Sequence, residues 1–208
     1  MTVNFLFDGP EQAELTILLA HGAGGAMDSP TMNALAETLA SAGCRVARFE
    51  FSYMAASRIG QRRPPPKAET LIPEFHAAID ALSVSGKLVI GGKSMGGRIA
   101  SMIADDVKAD GLLCIGYPFH PPQKPQTLRT AHLEHLQTPT LIAQGTRDPF
   151  GTHEEVAGYR LSRNIEIAWF EDGDHDLKPR KSVSGFTVQD HLATLAQRVG
   201  AFANALGG

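Results

Sequence analysis

Residues 88–100 read Leu-Val-Ile-Gly-Gly-Lys-Ser-Met-Gly-Gly-Arg-Ile-Ala, and two chemistries compete for their centre. Gly92-Lys93-Ser94 is the ending of many phosphate-binding loops, in which backbone N–H groups cradle a nucleotide. The same letters spell Gly92-x-Ser94-x-Gly96, the pattern of a serine nucleophile held on a tight strand-to-helix turn. A phosphate loop needs a further glycine five positions before Gly92, and that position is Lys87. The intervening Lys-Leu-Val-Ile-Gly reads as the strand itself, which leaves no backbone to wrap a phosphate. The nucleophile reading fits its surroundings better. An apolar strand enters the turn, a helical pattern leaves it, and Gly92 and Gly96 keep the neighbours of the serine small.

A serine needs a base and an acid to become a nucleophile, and on a parallel sheet each should stand just beyond the C-terminal end of a strand, in the order serine, acid, histidine. Asp148 comes after the apolar run 139–145, and His175 comes after the run 165–170. Upstream, the run 15–20 leads into His21-Gly22-Ala23-Gly24-Gly25, the place for backbone donors to a developing oxyanion. The predicted catalytic set is Ser94, Asp148 and His175. Asp172, Asp174 and Asp176 are rivals for the acid, but they share the loop of His175 and are expected to shape its turn.

Other chemistry-bearing residues are weighed against plainer roles. Lys93, beside the serine, is expected to be solvated or to pair with Glu50, because both stand at strand ends. His132 and His135 are three apart on a predicted helix, yet no third metal ligand stands at a recognisable spacing, so a solvated helix face is expected and no metal. The basic runs Arg-Arg-Pro-Pro-Pro-Lys (62–67) and Lys-Pro-Arg-Lys (178–181) read as surface, with an attraction for anionic substrates or a partner as the alternative.

These residues must be carried by a scaffold, and the pattern supplies one. Runs at 3–7, 15–20, 45–51, 87–92, 111–117, 139–145 and 165–170 read as strands, several of them apolar at every position, as expected of strands covered on both faces. Helical patterns fall at 29–43, 68–86, 96–107, 152–162 and 187–206, with Pro73 near a first turn. The alternation predicts an α/β fold: a mostly parallel sheet of about seven strands flanked by helices on both faces. Segments 52–67 and 118–136 are expected to be long loops. With 208 residues, no internal repeat and no linker-like stretch, a single domain spanning 1–208 is expected.

Composition narrows the function classes. A net charge of −3 gives no bulk attraction to nucleic acid or to anionic membranes, and no apolar run approaches a bilayer span. The N-terminal residues lack the pattern of a signal peptide. Cys44 and Cys114 lie in apolar runs and read as buried free thiols, which suits a reducing, cytoplasmic setting.

The stretches LLAHGAGG, GGKSMGGR, GTRDPFG and GDHDLKP together resemble the α/β-hydrolase superfamily across nearly the whole chain. They are most similar to a small cap-less branch, related to dienelactone-hydrolase-like proteins and to the hydrolase-like domains of a testis-expressed protein and a chromatin-complex subunit. The resemblance implies a cofactor-independent serine hydrolase that cleaves small to medium esters or thioesters through an acyl-enzyme. In loops of this kind the histidine, here His21, anchors the loop, which assigns the oxyanion hole to the N–H groups of Ala23 and Met95, with Gly24 as the alternative. Position alone nominates His21, Tyr53, Met54, Lys93 and Phe119 as lining for the substrate pocket. Because fold does not establish function, a hydrolase-fold interaction module with little turnover is the rival from another class.

Overall fold

The alternation of apolar residues along the strands divides the hydrophobic side chains between two faces of one sheet. In the computed structural model, which describes residues 3–61 and 63–207, Leu18, Ala20, Ile90, Leu112 and Ile142 point to one face. There they meet Phe75, Ile99 and Ala100. Their neighbours Ile17, Leu19, Val89, Leu113 and Leu141 point to the other and meet Met32, Leu35, Leu195 and Val199. Two buried faces, each covered by helices, account for strands that are apolar at both alternating positions.

The strands are β1 (Phe5–Asp8), β2 (Leu15–Ala20), β3 (Arg45–Phe49), β4 (Lys87–Lys93), β5 (Gly111–Ile115), β6 (Thr140–Gly145) and β7 (Ile165–Phe170). They lie side by side in the order β1-β3-β2-β4-β5-β6-β7, with β1 antiparallel to β3 and every other pair parallel. The register pairs Ala20 with Gly92, Lys93 with Ile115, Ile115 with Ala143 and Gly145 with Phe170. The chain therefore leaves β2, β4, β5, β6 and β7 along one common edge.

The helices are α1 (Pro30–Ser41), α2 (Ser52–Arg58), α3 (Ile72–Ala81), α4 (Met95–Ile103), α5 (His153–Val156), α6 (Lys181–Ser184) and α7 (Val188–Gly207). α1 begins as its sequence suggests: Pro30 stands in the first turn, and the Ser29 hydroxyl accepts from Met32 N–H. Pro73 likewise sits in the first turn of α3. That helix stops at Ala81, where Leu82 turns extended and buries its side chain, so the pattern read to residue 86 is too long.

Two expectations about connections are corrected. Residues 52–58 form α2 rather than loop, because the Glu74 carboxylate accepts from both Ser52 N–H (2.6 Å) and Ser52 O–H (2.7 Å), satisfying donors of the first turn. The predicted helix at 152–162 shrinks to one turn, α5, closed at its start by a capping box between Thr152 and Glu155. Beyond it Ser162 is tied to residues 133 and 136 by Ser162 N–H to Leu133 O (2.9 Å) and Ser162 O–H to Leu136 O (2.6 Å), which holds the chain out of a helix. Between β5 and β6 the chain forms a single 3-10 turn, Ala131–Glu134, and among the described residues no cap covers the sheet edge. Nor is any helix among them long and apolar enough to cross a membrane. Cys44 and Cys114 are buried and free.

Candidate active site

Ser94 leaves β4 with φ 51° and ψ −115°, a backbone conformation that side-chain-bearing residues rarely adopt. The turn is over-determined by its surroundings: Ser94 N–H donates to Ile115 O (2.9 Å), and Arg98 N–H of α4 donates to Ser94 O (3.0 Å). Gly92 is required there, since a Cβ on it would stand 2.5 Å from Ala20 O and 2.7 Å from Gly96 C.

His175 belongs to the loop after β7, three strands from β4, and must reach back along the sheet edge. Gly145, at the end of β6, lets it pass: a Cβ there would lie 2.2 Å from Gly173 O and 2.4 Å from Asp174 O. The loop is clamped on several sides. Arg147 donates to Asp172 O (2.7 Å) and Lys178 O (2.9 Å), and the His191 ring donates from Nδ1 to Leu177 O (2.7 Å). The Asp172 carboxylate is bound by the Arg180 guanidinium and backbone N–H, and those hydrogen bonds hold its pKa down to about 2. Asp174 accepts from the N–H groups of Asp176 and Lys178, both at 2.9 Å. Asp172 and Asp174 therefore shape the turn, as the sequence suggests, and Arg180 of the basic run 178–181 is engaged within the loop. Of the run 62–67, Arg62 lies outside the described residues.

This scaffold brings three side chains from distant segments into a line. His175 Nε2 is 2.8 Å from Ser94 Oγ, and His175 Nδ1 is 2.8 Å from Asp148 Oδ2. Asp148 is fully buried. Its Oδ1 accepts from Phe150 N–H (2.9 Å), and its Oδ2 accepts a second bond from Gln144 Nε2 (3.0 Å). An ionised carboxylate only accepts, so the proton of a neutral imidazole belongs on Nδ1, leaving Nε2 to accept from the serine hydroxyl. The Phe150 ring lies against the imidazole, 4.3 Å between centroids.

Gln144 is the residue that sequence reasoning missed. It is a fully buried amide that follows the apolar run Leu141–Ala143 of β6. Besides Asp148 it binds Tyr117 N–H through Oε1 (2.7 Å) and the carbonyls of Tyr117 and Gly151 through Nε2 (3.2 Å each). A polar residue at a position where both faces of the sheet are covered was the available signal.

A cleft of about 460 Å³ opens beside Ser94, between the 22–25 loop with the start of α1 on one side and Phe150, His175 and Asp176 on the other. Ala23 and Gly24 line it. Met95 is the first residue of α4, where N–H groups have no acceptor within the helix.

The nominated pocket residues divide. Lys93 lines the cleft. His21 does not: it is fully buried, accepts from Phe51 N–H at Nε2 (3.1 Å) and lies 2.7 Å from Gly22 O through Nδ1. Burial lowers its affinity for a proton, which keeps the acceptor nitrogen free, and it anchors the loop. Tyr53 and Met54 line a neighbouring cavity on the far side of Ala23 and Gly24. The Tyr53 hydroxyl supports the loop by donating to Ala23 O (3.0 Å). Phe119 is corrected outright, being fully buried and packed against Tyr117 and Tyr159 with centroids 4.8 Å and 5.8 Å away.

Two further expectations fail on geometry. Glu50 does not meet Lys93; its carboxylate binds Arg58 of α2 (2.6 Å) and accepts from Met27 N–H (3.2 Å). Lys93 instead faces Asp176, 3.4 Å away. His132 is not on a solvated face: its Nε2 bonds Ser101 Oγ (2.8 Å), and burial pushes its pKa down to about 4. Among the described residues no group of three His, Cys, Asp or Glu side chains is arranged to hold a metal.

A mostly parallel sheet, helices on both faces and a serine on a strained turn at the end of the central strand define the α/β-hydrolase architecture. The chain belongs to an alpha/beta hydrolase domain family, whose model matches residues 13–204. Its fold is similar to that of an α/β serine hydrolase homologue from Coxiella burnetii, at 18% identity, with TM-score 0.72 and coverage of 96% of this chain and 90% of that one. It is also similar to a lidless serine hydrolase from Xanthomonas campestris, at 17% identity, with TM-score 0.72 and coverage of 98% and 88%. A dienelactone hydrolase from Anabaena variabilis matches at 21% identity, with TM-score 0.72 and coverage of 96% and 90%. At these identities the likeness concerns the fold.

Proposed function

We propose that the protein is a cofactor-independent serine hydrolase of small to medium esters or thioesters. The observation that carries this reading is the continuous hydrogen-bonded line from Ser94 Oγ through His175 to buried Asp148, with both links at 2.8 Å.

Ser94 Oγ attacks the substrate carbonyl while His175 Nε2 takes the hydroxyl proton. Asp148 holds the imidazole in the required tautomer and stabilises its cationic form. The tetrahedral intermediate places its oxyanion toward the N–H groups of Met95 and of Ala23 or Gly24, at the start of α4, where the helix dipole also favours negative charge. The intermediate collapses, the C–O or C–S bond breaks, and the proton on His175 passes to the departing alcohol or thiol. Water, deprotonated by His175, then attacks the acyl-enzyme by the same route and releases the acid. An uncovered cleft places few constraints on the acyl group, which fits a site tolerant of varied chains. Buried free thiols at Cys44 and Cys114 suit a reducing, cytoplasmic compartment.

The test is labelling with a fluorophosphonate probe alongside turnover of p-nitrophenyl butyrate. Both are expected in the wild type and absent in Ser94→Ala. Labelling that survives Ser94→Ala, or a wild type that neither labels nor turns over any ester, refutes the reading and favours an interaction module.

A further inference from the structure

One charge in the cleft has no part in the reaction just described. Lys93 is the last residue of β4, adjacent in the chain to Ser94, and only 6% exposed, yet it lines the cleft. Taking an ammonium out of water is unfavourable unless its donors are well paired. Burial accordingly lowers the proton affinity of Lys93, and the carboxylates of Asp176 and Asp148 pull it back.

The pairing is loose. Nζ stands 3.4 Å from Asp176 Oδ1, beyond the roughly 2.7–2.9 Å of a charge-assisted bond, and Asp176 is an exposed residue that also faces Lys178 (3.3 Å). The protein builds a buried cation differently where the role is structural. Arg48, also 6% exposed, is bound by Asp8 (3.0 Å and 2.8 Å), Met27 O (2.8 Å) and Asn33 Oδ1 (2.6 Å). Among the described residues, the ammonium of Lys93 directs its donors at one distant acceptor.

Its position is close to the reaction. Lys93 Nζ and His175 Nδ1 lie 3.1 Å and 3.3 Å from the point that a Cβ on Gly116 would occupy, so the ammonium stands beside the edge of the imidazole that faces Asp148. The other charged side chain lining the cleft, apart from His175, is Asp176; the remainder is glycine, alanine, methionine, phenylalanine and hydroxyl-bearing residues such as Ser29 and Thr31.

We propose that Lys93 is an anion subsite, so that the preferred substrate is an ester or thioester bearing a carboxylate, which displaces Asp176 from the ammonium while Ser94 attacks the carbonyl. This rests on the hydrolase reading above and names the substrate class for that same site. The carboxylate can reach the ammonium from the acyl chain or from the leaving group, and the test separates the two.

The experiment compares kcat/KM for two matched pairs. The p-nitrophenyl monoester of adipate against p-nitrophenyl hexanoate reports the acyl side, and 4-carboxyphenyl acetate against 4-methylphenyl acetate reports the leaving-group side. Lys93→Met is expected to lower the charged-to-neutral ratio in one pair by about tenfold or more, the loss of one desolvated charged hydrogen bond. Asp176→Asn, on an exposed loop, is expected to raise the same ratio several-fold by removing the competitor, and it decides the matter if Lys93→Met does not fold. Ratios that neither substitution moves by more than about twofold, or that move in the opposite directions, overturn the subsite. Turnover of the neutral esters with unmoved ratios sinks the subsite alone, whereas a wild type inert to all four esters and to fluorophosphonate sinks the hydrolase reading and the subsite with it.

Discussion

Replacing Gln144 with leucine separates the support of the acid from the acid itself. The side chain makes four hydrogen bonds, to Tyr117 N, Tyr117 O, Asp148 Oδ2 and Gly151 O. Leucine fills a similar volume and makes none of them. Tyr117 O keeps a bond from Phe119 N–H (3.1 Å), and Asp148 keeps Phe150 N–H and His175. Tyr117 N–H and Gly151 O lose their bonds to the amide, and each buried unpaired group costs about 1–3 kcal/mol. A loss of about 3 kcal/mol is therefore expected, a fall in Tm of about 6–12 °C for a chain of this length.

Asp148 loses one of three donors, and a hydrogen bond to a charged group is worth enough to slow fluorophosphonate labelling by about tenfold or more. Gln144→Glu supplies the contrast: it keeps an acceptor for Tyr117 N–H but sets a second acid beside Asp148, so labelling should suffer without relief. The assays are thermal unfolding and the labelling rate constant, measured on the same preparations. A Gln144→Leu protein that melts within about 2 °C of wild type and labels at the wild-type rate would refute the assignment of this amide as support for Asp148.

Gly92→Ala places a methyl group 2.5 Å from Ala20 O and 2.8 Å from Gly97 N, all backbone. The expected cost is about 3 kcal/mol or loss of folded protein, read by urea unfolding; a variant as stable as wild type would mean the turn is looser than described. His132 carries a pH signature. Its pKa falls from 6.5 to about 4 through burial, so the unfolded chain binds the proton more tightly. Its contribution is therefore complete above pH 6.5 and is lost as the pH falls toward 4, about 2 kcal/mol of it between pH 7 and 5. Urea unfolding at both pH values should show a smaller difference in His132→Gln than in wild type by about that amount, and identical pH dependence in the two proteins would contradict it.

Much of this architecture is legible in the chain alone. The strands expected from apolar runs fall within a few residues of β1–β7, and Ser94, Asp148 and His175 each stand shortly beyond a strand end. Such positions can be read because turn chemistry and alternation are local: Gly92 beside Ser94, or Ile17 against Leu18, declare their roles within a few residues. Parallel strands then carry their exits to one edge whatever their order, so the strand ends in the sequence are already neighbours along an edge.

Which neighbours touch is a different matter, and only the tertiary structure decided it. Glu50 and Lys93 both stand at strand ends, but the Glu50 carboxylate is taken by Arg58 and Met27 N–H, while the Lys93 ammonium extends the other way, toward Gly116 of the loop after β5. Lys93 meets Asp176 because the loop after β7 doubles back over Gly145. Phe119 looks like pocket lining in the sequence and is core, since Tyr117 and Tyr159 close over it. The composition of residues 139–145 marks a buried strand, yet nothing in it reveals that Gln144 faces a carboxylate. By itself the sequence determined the fold and which residues stand at the C-terminal edge of its sheet, because those arise from local backbone and burial preferences. The partners of Lys93, Glu50 and Gln144 were decided by strand order and loop path, which bring together side chains far apart in the chain.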